Sequence, residues 1–281
     1  MRFCGAVLIT RIFLFTVRLP TNVEGLSTLS APDTHKSSAT YTSLEKFWSC
    51  ANILVPVNIA TTAGDNISIG HDSMAVRTSG SNNIAIGPDA LYTSVGSTYN
   101  IAIGPFAGYN ITTGGSGNVF IGYKAGYANQ TQGSAIAIGY EAMGGNAGTQ
   151  EGYGIAIGFR AMYEGKDGSN GTVVGNSAGQ YLQGIGATYI GSEAGRFATG
   201  SYNTFVGQAA GLGGQTSAPF SSGEDNVAIG YQALKSFTTG EKNTAIGKGS
   251  LDSLTTGVQN TAVGRTSLPA VVGGGNNVGL G

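Results

Sequence analysis

"NIAIGPDAL", residues 83–91, is a short apolar run that turns at a glycine and continues through an acid to a second apolar pair. The same nine positions return as "NIAIGPFAG" at 100–108, "NVAIGYQAL" at 226–234 and "NTAIGKGSL" at 243–251. Self-similarity at a fixed period marks a stacked-repeat architecture, so the spacing of the copies decides the fold. Anchored on glycine, they fall at Gly70, Gly87, Gly104, Gly122, Gly139, Gly158, Gly175, Gly191, Gly207, Gly230, Gly247, Gly264 and Gly281. The intervals are 17, 17, 18, 17, 19, 17, 16, 16, 23, 17, 17 and 17 residues. The pattern predicts an all-β parallel solenoid of about 12–13 coils over residues 66–281, preceded by a separate segment, 1–65.

The residue before each anchor is Ile or Val, except Leu280 in the last copy. Two residues earlier stands another apolar or threonine side chain, such as Ile84, Val119, Val227 or Thr244. Alternation puts these two on one face of a strand, and the residue between them, commonly alanine, on the other. Both faces are therefore apolar, and a strand buried on both sides needs cover beyond its own coil. Seventeen residues accommodate two short strands, "NIAI" and the "ALYTS" type, joined by a turn at the anchor glycine and a second turn of the "TTG" kind. The asparagine opening nine of the thirteen copies suits a turn end, or an in-register ladder. At about 4.8 Å per coil the array is a rod roughly 55–60 Å long. So thin a coil encloses little apolar volume. The small-residue face suggests the remedy: three chains packed closely about a common axis, a homotrimer.

Composition agrees with a turn-rich rod. Charged residues make up 10% of the chain, against roughly a quarter in an ordinary domain. All but Gly5, Gly25 and Gly64 of the 48 glycines lie in the repeats. The net charge of −1 and the lack of a basic cluster exclude nucleic acid as a partner. Cys4 and Cys50 lie outside the repeats, which need neither a disulfide framework nor zinc.

The "N-x-A-I-G-x-x-A" repeat resembles the head of trimeric autotransporter adhesins and related repeats of phage tail fibres. The resemblance covers residues 66–281. It implies a left-handed parallel β-roll, trimeric, displayed outside a cell or virion and used for attachment to a surface receptor or glycan. The family's heptad stalk, membrane-anchor barrel and tail-fibre chaperone domain have no counterpart here. Between 135 and 191 the asparagine is replaced by Ala135, Gly154, Gly171 and Ala187.

Other chemistries fit less well. A hexapeptide acyltransferase helix needs about three hexapeptides per coil, and a base; only His35 and His71 are present. His71, Asp72 and Asp89 fall at neighbouring turns, but calcium rolls need aspartate-rich "GGxGxD" turns. The recurring threonines occupy turns rather than an ice-binding Thr-x-Thr ladder. No nucleophile–base pair or phosphate loop stands out, so the chain reads as non-enzymatic, without cofactor or metal.

Two features carry the binding expectation. Tyr123, Tyr140 and Phe159 follow the anchor in three consecutive coils, with Lys124, Glu141 and Arg160 beside them in alternating sign. Their structural reading is a stacked ladder with an ion ladder, and their functional reading a strip for a glycan or receptor. The 23-residue interval from Gly207 to Gly230 holds an insertion, 212–225, whose Phe220 is expected at an exposed tip. Its deletion is expected to spare the fold.

The ends raise a further alternative. "MRFCGAVLITRIFLFTVR", 1–18, has the early arginine and apolar stretch of an export signal, interrupted by Arg11. "NNVGLG" stops at the thirteenth anchor, and residues 53–60 form an apolar extended run before the first coil. Either the sequence is a piece of a longer fibre, such as a tail fibre, or copies stack end to end as a passive structural filament, with 53–60 as the junction strand.

Overall fold

The computed structural model describes residues 64–76, 79–111, 115–127, 133–145, 154–165, 170–214 and 220–281. The N-terminal segment expected over 1–65, with its export signal and junction strand, lies almost wholly outside them. The described part is a parallel β-solenoid with thirteen strands of three residues each. The strands are β1 (Ile67–Ile69), β2 (Ile84–Ile86), β3 (Ile101–Ile103), β4 (Val119–Ile121) and β5 (Ile136–Ile138). Then come β6 (Ile155–Ile157), β7 (Thr172–Val174), β8 (Thr188–Ile190) and β9 (Thr204–Val206). β10 (Val227–Ile229), β11 (Thr244–Ile246), β12 (Thr261–Val263) and β13 (Val278–Leu280) complete the stack. They form one sheet in sequence order, each strand parallel to the next. Register follows the repeat, with Ala85 beside Ala102 and Phe120 beside Ala137.

The rest of each coil differs from the two-strand expectation. Only "NIAI" becomes a strand; the "ALYTS" limb does not. Its backbone takes positive φ at alternate residues, as at Asp89 (56°) and Leu91 (50°), so it is never extended. It begins with a turn closed by the Ala90 amide donating to the Gly87 carbonyl at 3.3 Å. Positive φ at the third position is the type II pattern, and Pro88 suits the second. The limb still stacks through hydrogen bonds between coils: Asp89 N–H donates to His71 O at 2.9 Å, and Leu91 N–H to Ala107 O at 3.0 Å. Positive φ in non-glycine residues is uncommon in proteins generally. Here it recurs in columns, because every coil makes the same corner.

The two faces of the sheet are reversed relative to the trimer argument above. The central residue of β2 to β12 points into the coil and is fully buried, whether small, as at Ala85, Ala102 and Ala137, or large, as at Phe120. The Ile/Val pair points outward, where Ile103 is 37% exposed. The reason is thickness. The interior must also hold an alanine or serine three residues after the anchor (Ala90, Ala107, Ser250), and where the fourth residue is large, as at Leu91 or Leu251, the strand centre has room only for a methyl.

That interior obeys a volume rule. Where the strand centre is Ala85, Ala228 or Ala245, the fourth residue after the anchor is Leu91, Leu234 or Leu251. Where the centre is Phe120, Tyr189 or Phe205, the fourth is Gly126, Gly195 or Gly211. A Cβ added to Gly195 would lie 2.5 Å from the Tyr189 ring, and one on Gly126 or Gly211 would overlap the ring atoms of Phe120 or Phe205. β3 pairs Ala102 with Gly108, and the gap is filled by Ile111 and by Phe120 of the next coil, both against Gly108.

The asparagines do both jobs anticipated for them. Asn83 Nδ2 donates to Asn66 Oδ1 at 3.1 Å and to the turn carbonyl of Ser97 at 2.9 Å. Its own Oδ1 accepts from the backbone amide (2.9 Å) and side chain (3.1 Å) of Asn100. One run passes through Asn66, Asn83, Asn100 and Asn118 and ends on the Ala135 amide. The second passes through Asn203, Asn226, Asn243, Asn260 and Asn277. Because Asn243 is fully buried, its replacement by alanine strands donors and acceptors in both neighbouring coils. Asn243→Ala is expected to cost about 2–4 kcal/mol, read as a lowered denaturation midpoint.

Tyr189, like Ser94 and Ser97, carries a buried hydroxyl without a well-formed hydrogen bond. It is fully buried and stacked on Phe205 at 4.9 Å. Asn203 lies near enough to favour its ionised form slightly, but no well-formed hydrogen bond reaches the hydroxyl, and burial drives its pKa far above the ordinary 10.0. The folded chain thus holds a proton that the unfolded chain releases above pH 10. The stabilisation is intact below pH 10 and falls above it, by about 1.4 kcal/mol per unit. Tyr189→Phe should therefore make alkaline unfolding measurably shallower than in the parent chain.

Candidate functional site

The largest uniform surface is the outer face of the sheet. Two columns run along it: Ile67, Ile84, Ile101 and their successors, and Ile69, Ile86, Ile103 and theirs. The first column changes to Thr172, Thr188 and Thr204 in β7–β9, and to Thr244 and Thr261 later; the second is aliphatic throughout. Along about 58 Å, at a width of roughly 10 Å, this face presents on the order of 600 Å² of mainly apolar surface. That is the upper end of the largest apolar patch on a typical monomer, a size that is often functional.

A second surface lies on the turn limb. Tyr123, Tyr140 and Phe159 are brought together as a ladder, with ring centroids 5.0 and 5.4 Å apart and interplanar angles of 25° and 13°. Phe106 meets Tyr123 edge-on at 6.0 Å. A parallel ladder that sequence reading missed stacks Tyr92 on Tyr109 (4.9 Å, 5°) and Tyr109 on Tyr127 (5.2 Å, 16°). Its signal was an aromatic residue five after the anchor in three successive coils. In both ladders the rings cover one another's faces, and Phe106 packs between the ladders against Tyr109, Tyr123 and Tyr127. Tyr92, Tyr109, Tyr123 and Tyr127 are half-buried and Tyr140 is exposed. Desolvation, and then the neighbouring Tyr92 and Tyr127, raise the Tyr109 pKa above its usual value.

The charged column beside the first ladder is only partly an ion ladder. Arg160 Nε donates to Glu141 Oε2 at 2.7 Å, and this bond is the main reason the Arg160 pKa is raised. Lys124 instead places its ammonium over Tyr123 (5.5 Å) and Tyr127 (5.3 Å). Arg196 bonds Glu193 at 2.9 Å and lies over Phe197. The cations near the rings are thus largely neutralised or shared.

Phe220 is not at a tip. Its ring stacks on Tyr181 at 4.4 Å and lies 6.1 Å from Phe197. The neighbouring Ser221 amide donates to Phe197 O at 3.0 Å. Much of the 212–225 insertion likewise belongs to the stack: Phe197 N–H donates to Leu212 O (2.9 Å), and Gly214 N–H to Phe237 O (2.7 Å). Aromatic stacking draws residue 220 back onto the limb. Removing 212–225 is therefore expected to destabilise the adjoining coils, seen as a lower melting temperature, contrary to the sequence expectation.

His71 Nδ1 lies 3.2 Å from Asp72 Oδ2 on the surface. Among the described residues no group of three His, Cys, Asp or Glu side chains is placed to hold a metal ion. No family model, curated protein or solved structure matches this chain.

Proposed function

We propose that this chain is a non-enzymatic element of an extracellular fibre, at a cell or virion surface, built as a homotrimer of left-handed β-rolls and serving in attachment to a surface receptor or glycan. The observation that carries the reading is the outer Ile/Val face. Parallel sheets occur almost only with both faces covered, and among the described residues the outer face of this sheet is left half-buried or exposed. A second copy of the chain is the natural cover, because only another β-solenoid repeats at the same rise and interdigitates with every row. Three copies suit a face only two side chains wide, since narrow walls close around an axis. The adhesin-head resemblance supports the threefold arrangement and is the ground for the left-handed winding. Small apolar residues do not line that axis in this arrangement; the β-branched pairs do.

Light scattering on the full chain tests the assembly. The expected mass is three times 28.4 kDa. Ile103→Asp is expected to break the assembly, because it places an unpaired charge on the covered face without touching the core. A folded parent monomer at micromolar concentration would overturn the proposal, and a two-chain particle would replace the threefold arrangement with face-to-face pairing. Attachment is read separately, as retention of the assembled chain on a glycan array or on cells.

A further inference from the structure

The tyrosine ladders offer chemistry that attachment does not use. Most surface ladders mix residue types: Tyr181 stacks on phenylalanines, and so does the buried Tyr189. Among the described residues only three stacks join two phenols: Tyr92–Tyr109, Tyr109–Tyr127 and Tyr123–Tyr140. All lie on the solvent side of the turn limb, half-buried or exposed. Their ring planes are within 25° of parallel and their centroids 4.9–5.2 Å apart. Each pair joins adjacent coils, and the intervening backbone is locked by hydrogen bonds such as Thr93 N–H to Tyr109 O at 3.1 Å. The described methionines, the usual competitors for oxidants, are buried at Met74, Met143 and Met162.

We infer that these three pairs are sites of oxidative tyrosine coupling, which would staple successive coils covalently under a peroxidase-class one-electron oxidant supplied with hydrogen peroxide. Each phenol gives up one electron and one proton to become a phenoxyl radical. The two radicals join through a carbon–carbon bond between ring positions ortho to the hydroxyls. The hydrogen on each of those carbons then moves to the phenoxyl oxygen, restoring two phenols. The pair loses two hydrogen atoms overall, and one peroxide is reduced to two waters. Stacking supplies the proximity: a radical on Tyr109 has a phenol on either side and need not await a collision with another molecule. Ring tilt about the side-chain torsions closes the remaining gap, which the half-exposed edges permit.

The experiment treats the full chain with a peroxidase and hydrogen peroxide, digests it, and maps cross-linked peptides by mass. The expected products have lost two hydrogens and join Tyr92 to Tyr109, Tyr109 to Tyr127, or Tyr123 to Tyr140, at least tenfold above any other tyrosine pair. Tyr109→Phe should abolish the first two and leave the third. The same treatment in denaturant should scatter the cross-links. Products dominated by Tyr99, Tyr202 or Tyr231, which stack on no ring, would overturn the inference. So would a folded chain that yields no coupled tyrosine under conditions that couple free tyrosine. A coupled product that runs at the mass of one chain under denaturing conditions shows the bond to lie within that chain, which keeps the result independent of trimer formation and of ligand binding.

Discussion

Phe205→Ala is expected to cost about 3–5 kcal/mol, the usual loss for emptying a buried aromatic site; adding Gly211→Leu should restore most of it. Neither change is tolerable alone. Leucine at 211 in the parent chain collides with the Phe205 ring, since even its Cβ would fall within the ring's contact radius. With the ring gone, the coil of β9 acquires the alanine–leucine pair already present as Ala228 and Leu234 in the coil of β10. Backbone conformation is no obstacle. Gly211 has φ 52°, while Leu91, Leu234 and Leu251 hold 50°, 50° and 49° at the equivalent place. Thermal and denaturant midpoints of the parent, both single variants and the double variant form the cycle, and the coupling should be strongly favourable. Losses that simply add would show that the two positions do not share one volume, and the packing rule would fail.

That rule was legible in the sequence and went unread. The spacing of the anchors made strand position and register readable, because each depends only on the repeat. The alternation within "NIAI" was also readable, but not which side faced inward. Alanine at a strand centre fits either a tight interface between chains or the inside of a thin coil. Only the partner column, with Leu91 opposite Ala85 and Gly126 opposite Phe120, separates the two. The "ALYTS" limb misled for a different reason. Its composition suits a strand, yet Asp89 and Leu91 adopt positive φ because the stacked corner requires it, a tertiary demand that local preference does not register. The surface divides in the same way. Tyr123, Tyr140 and Phe159 were visible as a column of one residue type. The second ladder, Tyr92, Tyr109 and Tyr127, is equally a column at one distance from the anchor, whereas the return of Phe220 to Tyr181 needed the path of the chain after the turn.

The anchor glycine itself supports the severest expected effect. Gly175→Val should prevent the coil of β7 from closing, at a cost above about 4 kcal/mol, beyond the range of most single substitutions. Two independent causes act at this one atom. Gly175 has φ 145°, a conformation that residues with a Cβ rarely adopt. Any Cβ there would also be driven against the carbonyl group of Gly191, the anchor of the next coil. That obstacle is backbone held by the sheet, so no rotamer change relieves it. Gly249, two residues after an anchor, separates these causes from mere loss of glycine. Its φ of 65° is the left-handed region that asparagine tolerates, and an added Cβ meets nothing closer than Thr266 Cγ2 at 3.5 Å. The equivalent places in other coils carry Asp89 and Gln232. Gly249→Asn is therefore expected to shift the melting temperature by only a degree or two, whereas Gly175→Val should remove the cooperative transition or split it at β7. Equal effects from the two variants would mean that the columns of anchor glycines are dispensable and that another feature sets the approach of one coil to the next.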